Sequence, residues 1–119
     1  MIIADDHVLM RQGLASLLQT QPDIQVVAEA ANGKLAVELA LKLRPDVVLM
    51  DVSMPVMNGV EATRRIKNEA PEIAVIGLSM HSSEEARTSM KKAGARDYLL
   101  KDRPAPELLS AIKRFAHSR

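Results

Sequence analysis

The sequence has no cysteine and no tryptophan, and only one phenylalanine and one tyrosine among its 119 residues. Without cysteine there is no disulfide framework, no thiolate nucleophile and no thiolate-bound metal, which fits a cytoplasmic setting. With only two such aromatic side chains there is no platform on which successive nucleic-acid bases could stack. Nor does charge of one sign prevail. Sixteen Lys and Arg face fifteen Asp and Glu, a net charge of +1 with the signs interspersed. That balance argues against nucleic-acid binding by this chain itself. No apolar run approaches the roughly 18 residues that a membrane span needs. The N-terminus shows no charged region followed by an apolar stretch, so no signal peptide is expected.

What is present is an ordinary globular composition, 47% hydrophobic and 26% charged. One domain over residues 1–119 is expected, with a core of useful size. Apolar runs and amphipathic stretches alternate five times. Strands are predicted near 1–5, 24–29, 46–51, 73–79 and 96–100, and helices near 8–20, 33–43, 59–69, 83–93 and 105–117. Leu14, Leu17 and Leu18 share one face of the first helix. Ala36, Leu39, Ala40 and Leu43 share a face of the second, and Val60, Thr63 and Ile66 a face of the third. Leu108, Leu109, Ile112, Phe115 and Ala116 serve the fifth. The fourth helix offers only Ala86, Met90 and Ala93, so it is expected to be the most weakly docked, since burial scales with apolar area. Ser82 and Glu85 read as a capping box at its start. Strict β/α alternation implies a parallel sheet covered by helices on both faces.

The informative residues stand at the strand ends. Asp51 closes the apolar run Val47–Met50, which is bounded by Pro45 and Pro55 and reads as a strand buried on both faces. Asp5 and Asp6 follow the first strand, Ser79 closes the fourth and Lys101 follows the fifth. Open α/β sheets bind ligands at the carboxyl ends of their strands. If the first and third strands are neighbours, Asp5, Asp6 and Asp51 converge. Two unit charges about 4 Å apart repel by roughly 4 kcal/mol at an effective dielectric near 20, so three carboxylates call for a cation. Oxygen donors at a partly wet site suit Mg²⁺. A carboxylate such as Asp51 can attack a phosphoryl group and form an acyl phosphate. Lys101 and the Ser79 hydroxyl are placed to neutralise and bind its oxygens. Alone, Ser79 would be a strand-end hydroxyl and Lys101 a solvated lysine; the set is the signal.

The motifs Ala4-Asp5-Asp6-His7, Leu49 to Pro55 with Gly59, Leu78-Ser79-Met80-His81, and Lys92 to Asp102 resemble the receiver domains of two-component response regulators. They match the NarL/FixJ class more than others. The resemblance implies a three-layer (βα)5 flavodoxin-like fold with strand order 2-1-3-4-5. It implies phosphorylation of Asp51 by the phosphohistidine of a sensor histidine kinase. It also implies Mg²⁺ held by Asp5, Asp6, Asp51 and the backbone carbonyl of Ser53, phosphoryl binding by Ser79 and Lys101, and Tyr98 as an aromatic switch coupled to Ser79. Members of this class usually carry a DNA-binding output domain, which these residues do not contain, so DNA contact and transcription regulation would come through that domain. Phosphorylation-dependent homodimers are a further implication. The domain would act on no separate substrate, catalysing only its own phosphoryl transfer and dephosphorylation.

Two positions depart from the usual pattern. Asp102 and Arg103 separate Lys101 from Pro104, where many receivers have proline directly after the lysine. Met80 follows Ser79, where a small residue is common, and is expected to crowd the phosphoryl entrance. A haloacid-dehalogenase-like phosphatase, which also uses a strand-end Asp and Mg²⁺, is the alternative. It would need a second Asp two residues after the nucleophile, where this chain has Ser53.

Overall fold

The computed structural model describes residues 1–80 and 83–116, with the side chains of Phe115 and Ala116 outside that description. Five strands and five helices alternate: β1 Ile2–Ala4, α1 Val8–Gln19, β2 Ala28–Ala30, α2 Gly33–Leu43, β3 Val47–Asp51, α3 Gly59–Glu69, β4 Ala74–Ser79, α4 Glu84–Ala93, β5 Asp97–Leu100 and α5 Ala105–Ala116. The strands form one parallel sheet in the order β2-β1-β3-β4-β5. This is the flavodoxin-like arrangement expected from the alternation and the motifs.

The period-2 alternation of the strands sorts the core into two layers. Ile2, Ala4, Val48, Met50 and Val75 face α2, α3 and α4, meeting Ala36, Ala40, Ala62, Ile66 and Met90. Ile3, Leu49, Ile76, Leu78 and Leu99 face α1 and α5, meeting Leu14, Leu18, Leu108 and Ile112. β3 is buried along its whole length, as a central strand covered on both faces must be.

Several boundaries and faces differ from the sequence reading. β2 begins at Ala28, not Ile24, because β1 pairs only Ile2–Ala4 with Ala28–Ala30. Ahead of that ladder, Gln25 and Val27 bond to Met1 instead. On α2, Ala36 and Ala40 are buried but Leu43 is exposed, because the chain turns into the left-handed conformation at Arg44 and leaves the sheet. On α1, Ala15 rather than Leu17 joins Leu14 and Leu18 in the buried set. Ala62 replaces Val60 as the buried companion of Thr63 and Ile66 on α3. The start of α4 is capped by Ser83, whose hydroxyl accepts from the Ala86 N–H at 3.2 Å. The anticipated cap Ser82, like His81 and the helix end at residue 117, lies outside the described residues. α4 fully buries two side chains, Met90 and Ala93, fewer than the three of α1 or of α3 but as many as α2, which buries Ala36 and Ala40, so the expectation that α4 is the most weakly docked holds against α1 and α3 only.

Candidate functional site

The strand order reverses between β1 and β3, which run side by side with Ala4 opposite Met50. The next residue of each strand is Asp5 and Asp51. The sheet thus places two carboxylates level at its switch point, where such folds open a crevice. β4 is in register so that Leu78 lies opposite Asp51 and Ser79 opposite Leu100. Lys101 follows directly, its N–H donating to the Ser79 carbonyl at 2.8 Å.

The Lys101 side chain turns back across the sheet edge. Its Nζ lies 2.6 Å from Asp5 Oδ2 and 3.2 Å from Asp51 Oδ2. Asp5, Asp51, Lys101 and Thr63 are the buried polar or charged residues among those described, so three of the four meet at this point. Both oxygens face the ammonium as ion pairs. Asp6 stands at the rim, about a third exposed, and shares an open depression with the exposed Ser53 and with Asn58.

Burial and charge set the two carboxylates apart. Burial pushes Asp51 up to about 6, helped by the neighbouring charges of Asp5 and Asp6, with Lys101 pulling the other way. Burial also penalises the charge on Asp5. There the Lys101 ammonium and hydrogen bonds from His7 outweigh it and hold the carboxyl below its ordinary value.

Asp5, Asp6, His7 and Asp51 each offer a ligand atom, all within 4.8 Å of one another. Oδ2 of Asp5, Oδ1 of Asp6 and Oδ2 of Asp51 are buried atoms with no hydrogen-bond partner. Three carboxylates held this close against one buried ammonium leave negative charge in excess and fit a hard dication.

The flanking loops are fixed by contacts that sequence patterning did not single out. Arg11 donates from Nη1 to the Asp5 carbonyl at 2.6 Å and from Nε to Glu29 at 3.0 Å, tying α1 to the end of β1. A basic residue one turn into the helix after the acidic pair was the only available signal. Gly59 lets α3 start against the Asp51 backbone; a Cβ there would meet the Asp51 carbonyl oxygen at 2.1 Å. The side chain of Asn58 caps α3 by accepting from the Glu61 N–H. Between Pro55 and Met57 the chain makes a γ-turn. The Met57 N–H donates to the Pro55 carbonyl at 2.7 Å, with Val56 at φ 68°. For a β-branched residue that conformation is strained.

The remaining expected residues lie on β4 and β5. Ser79 is half-buried at the end of β4. Met80 is 44% exposed. Tyr98 is buried beside Gly77, with its hydroxyl unpartnered and the Arg87 guanidinium 5.2 Å from the ring centre.

The response regulator receiver domain profile matches residues 1–113. The chain belongs to the response regulator receiver family. It is 46% identical over 112 residues to the transcriptional regulatory protein DegU of Brevibacillus brevis, covering 94% of this chain and 48% of that protein. It is 42% identical to LiaR of Bacillus subtilis, covering 94% of this chain and 53% of the relative. This receiver therefore spans about half the length of the curated relatives it matches. Among solved structures it is similar to the signal receiver domain of NarL from Mycobacterium tuberculosis, at a TM-score of 0.93 and 31% identity, covering 99% of this chain and 95% of that one. A LuxR-family DNA-binding response regulator from Staphylococcus aureus gives a TM-score of 0.90 at 28% identity, covering 98% and 97%. The protein is thus the receiver domain of a two-component response regulator of the NarL/LuxR type. The phosphatase alternative finds no support in these relationships, and Ser53 occupies the position where that chemistry needs a second Asp. No helix of the receiver among the described residues is long and apolar enough to cross a membrane.

Proposed function

We propose that the receiver accepts a phosphoryl group on Asp51 from a phosphohistidine of a sensor histidine kinase. The observation that carries this reading is the buried Lys101 ammonium set between Asp5 and Asp51. An Asp51 oxygen attacks phosphorus in line with the P–N bond of the donor. The new O–P bond forms as the P–N bond breaks, and the donor ring, already protonated on its other nitrogen, takes the P–N electron pair and leaves as neutral imidazole. At neutral pH Asp51, with its pKa near 6, is mostly ionised and can act as nucleophile. Lys101 neutralises charge on the transferred group's oxygens, and the Ser79 hydroxyl donates to another. Asp5, Asp6, Asp51 and the Ser53 carbonyl are the groups that would hold Mg²⁺, which supplies charge neutralisation at the same oxygens.

Tyr98 serves as the switch, changing packing against α4 as Ser79 engages the phosphoryl group. Phosphorylation then favours a homodimer. The relatives are named transcriptional regulators, which supports a DNA-binding output domain governed by this receiver in the cytoplasm. The domain transforms no separate substrate and turns over only its own acyl phosphate. Treatment with acetyl phosphate and Mg²⁺, followed by intact mass, tests the central assignment. One phosphoryl group is expected on the wild type and none on Asp51→Asn. A full mass gain on the variant would move the phosphoacceptor elsewhere.

A further inference from the structure

Tyr98 lies in a slot bounded by β4 and α4. Gly77 of β4 forms the floor: a Cβ there would come within 3.1 Å of Tyr98 Cδ1 and 3.0 Å of Met90 Cε. The ring is buried, and its hydroxyl is a buried atom with no hydrogen-bond partner among the described residues. A polar atom left in that position opposes burial. Hydrogen bonding therefore does not hold this side chain in the slot; its contacts with its neighbours do.

Arg87 is the neighbour that apolar patterning does not explain. It precedes Met90 by three residues and so shares a side of α4 with it. It stands near the amino end of the helix, where the dipole favours Glu84 and Glu85 rather than a cation. Yet its guanidinium carbon lies 5.2 Å from the centre of the Tyr98 ring, within the range of a cation–π contact. Arg87 is half-buried, so the contact is partly shielded from water, which strengthens it.

We propose that Arg87 is a positioning residue of the switch: its guanidinium holds the Tyr98 ring over Gly77 and ties the ring to α4, so that helix and ring move together. This rests on the reading of Tyr98 as the switch. α4 fully buries only two side chains, Met90 and Ala93, so one further contact is a large share of what fixes the helix against the sheet. A partly shielded cation–π contact shifts an equilibrium by about fivefold.

The test uses the fluorescence of the chain itself. Tyr98 is the single tyrosine and there is no tryptophan, so intrinsic emission reports this ring. Acrylamide quenching is measured with and without Mg²⁺ and beryllofluoride, which mimics an acyl phosphate. Wild type, Arg87→Ala, Arg87→Lys and Gly77→Ala are compared, with thermal melts showing that each is folded. In Arg87→Ala the quenching constant is expected to rise by about twofold or more, and the change caused by beryllofluoride to fall below about half of that in wild type. Arg87→Lys keeps a cation over the ring and should restore most of both. A smaller rise in Arg87→Ala, or a beryllofluoride response kept above half, overturns the role of Arg87. So does a rise in Gly77→Ala without one in Arg87→Ala, since the slot alone would then hold the ring. If beryllofluoride leaves the quenching of wild type unchanged, Tyr98 is not the switch and the underlying reading fails first.

Discussion

The ammonium of Lys101 stands 2.6 Å from Oδ2 of Asp5, with both side chains sealed from solvent. Asp51 is the more distant partner of the same ammonium, at 3.2 Å. Lys101 thus serves the fold as well as the chemistry proposed for it. Removing one partner of a buried ion pair leaves an uncompensated charge. Lys101→Met is expected to lower stability by about 3 kcal/mol at pH 7 without divalent ions, read by urea denaturation. Saturating Mg²⁺ should restore part of the loss. A variant as stable as wild type would mean that water reaches these carboxylates.

Asp51 should respond in the opposite direction. Its pKa in the fold is raised from 3.8 to about 6, so the folded state holds the proton more tightly than the unfolded chain. The penalty for an ionised Asp51 is complete above pH 6, shrinks as pH falls, and vanishes below about pH 4. At pH 7 it amounts to about 3 kcal/mol. Asp51→Asn should therefore be more stable than wild type by about 2 kcal/mol at pH 7 in EDTA, with the gain gone at pH 4. Denaturant midpoints at the two pH values check the sign.

Gly59 lies against the Asp51 backbone, where a Cβ would come within 2.1 Å of the carbonyl oxygen. Backbone cannot yield as a flexible side chain can. Gly59→Ala should cost about 2–3 kcal/mol and slow acetyl-phosphate labelling by shifting the end of β3. Normal labelling together with normal stability would show that α3 can start elsewhere.

The buried hydroxyl of Tyr98 has no partner, so Tyr98→Phe is expected to stabilise the unphosphorylated domain by about 1 kcal/mol. The same change should weaken the response to beryllofluoride, a mimic of the acyl phosphate. In wild type that reagent is expected to alter hydrogen-exchange protection in α4 and β5, because displacing α4 uncovers little beyond Met90 and Ala93. Unchanged protection in both elements would place the switch elsewhere. Sedimentation of the same sample tests for the dimer.

Met80 is 44% exposed directly after Ser79. Met80→Ala should quicken both acetyl-phosphate labelling and dephosphorylation. If both rates stay within about twofold, roughly 0.4 kcal/mol in the barrier, Met80 does not gate the site.

The order of elements, the parallel sheet and the residues at its carboxyl edge were legible in the sequence by itself. Apolar runs ending in Asp5, Asp51, Ser79 and Lys101 carry both their own burial and their own position, because a strand's last residue is set by where its hydrophobic pattern stops. Faces built from alanine and glycine were less legible: Leu43 looked buried and is exposed, while Ala62 is buried in place of Val60. Small side chains give a weak periodic signal, and which turn reaches the sheet depends on where the helix is capped. Only the tertiary structure decided that Lys101 leans to Asp5 more than to Asp51, that Arg11 holds the Asp5 carbonyl, and that His7 turns back over the acidic pair. Those facts depend on distances between residues far apart in sequence or on rotamers chosen in the packed site, and hydrophobic periodicity carries neither.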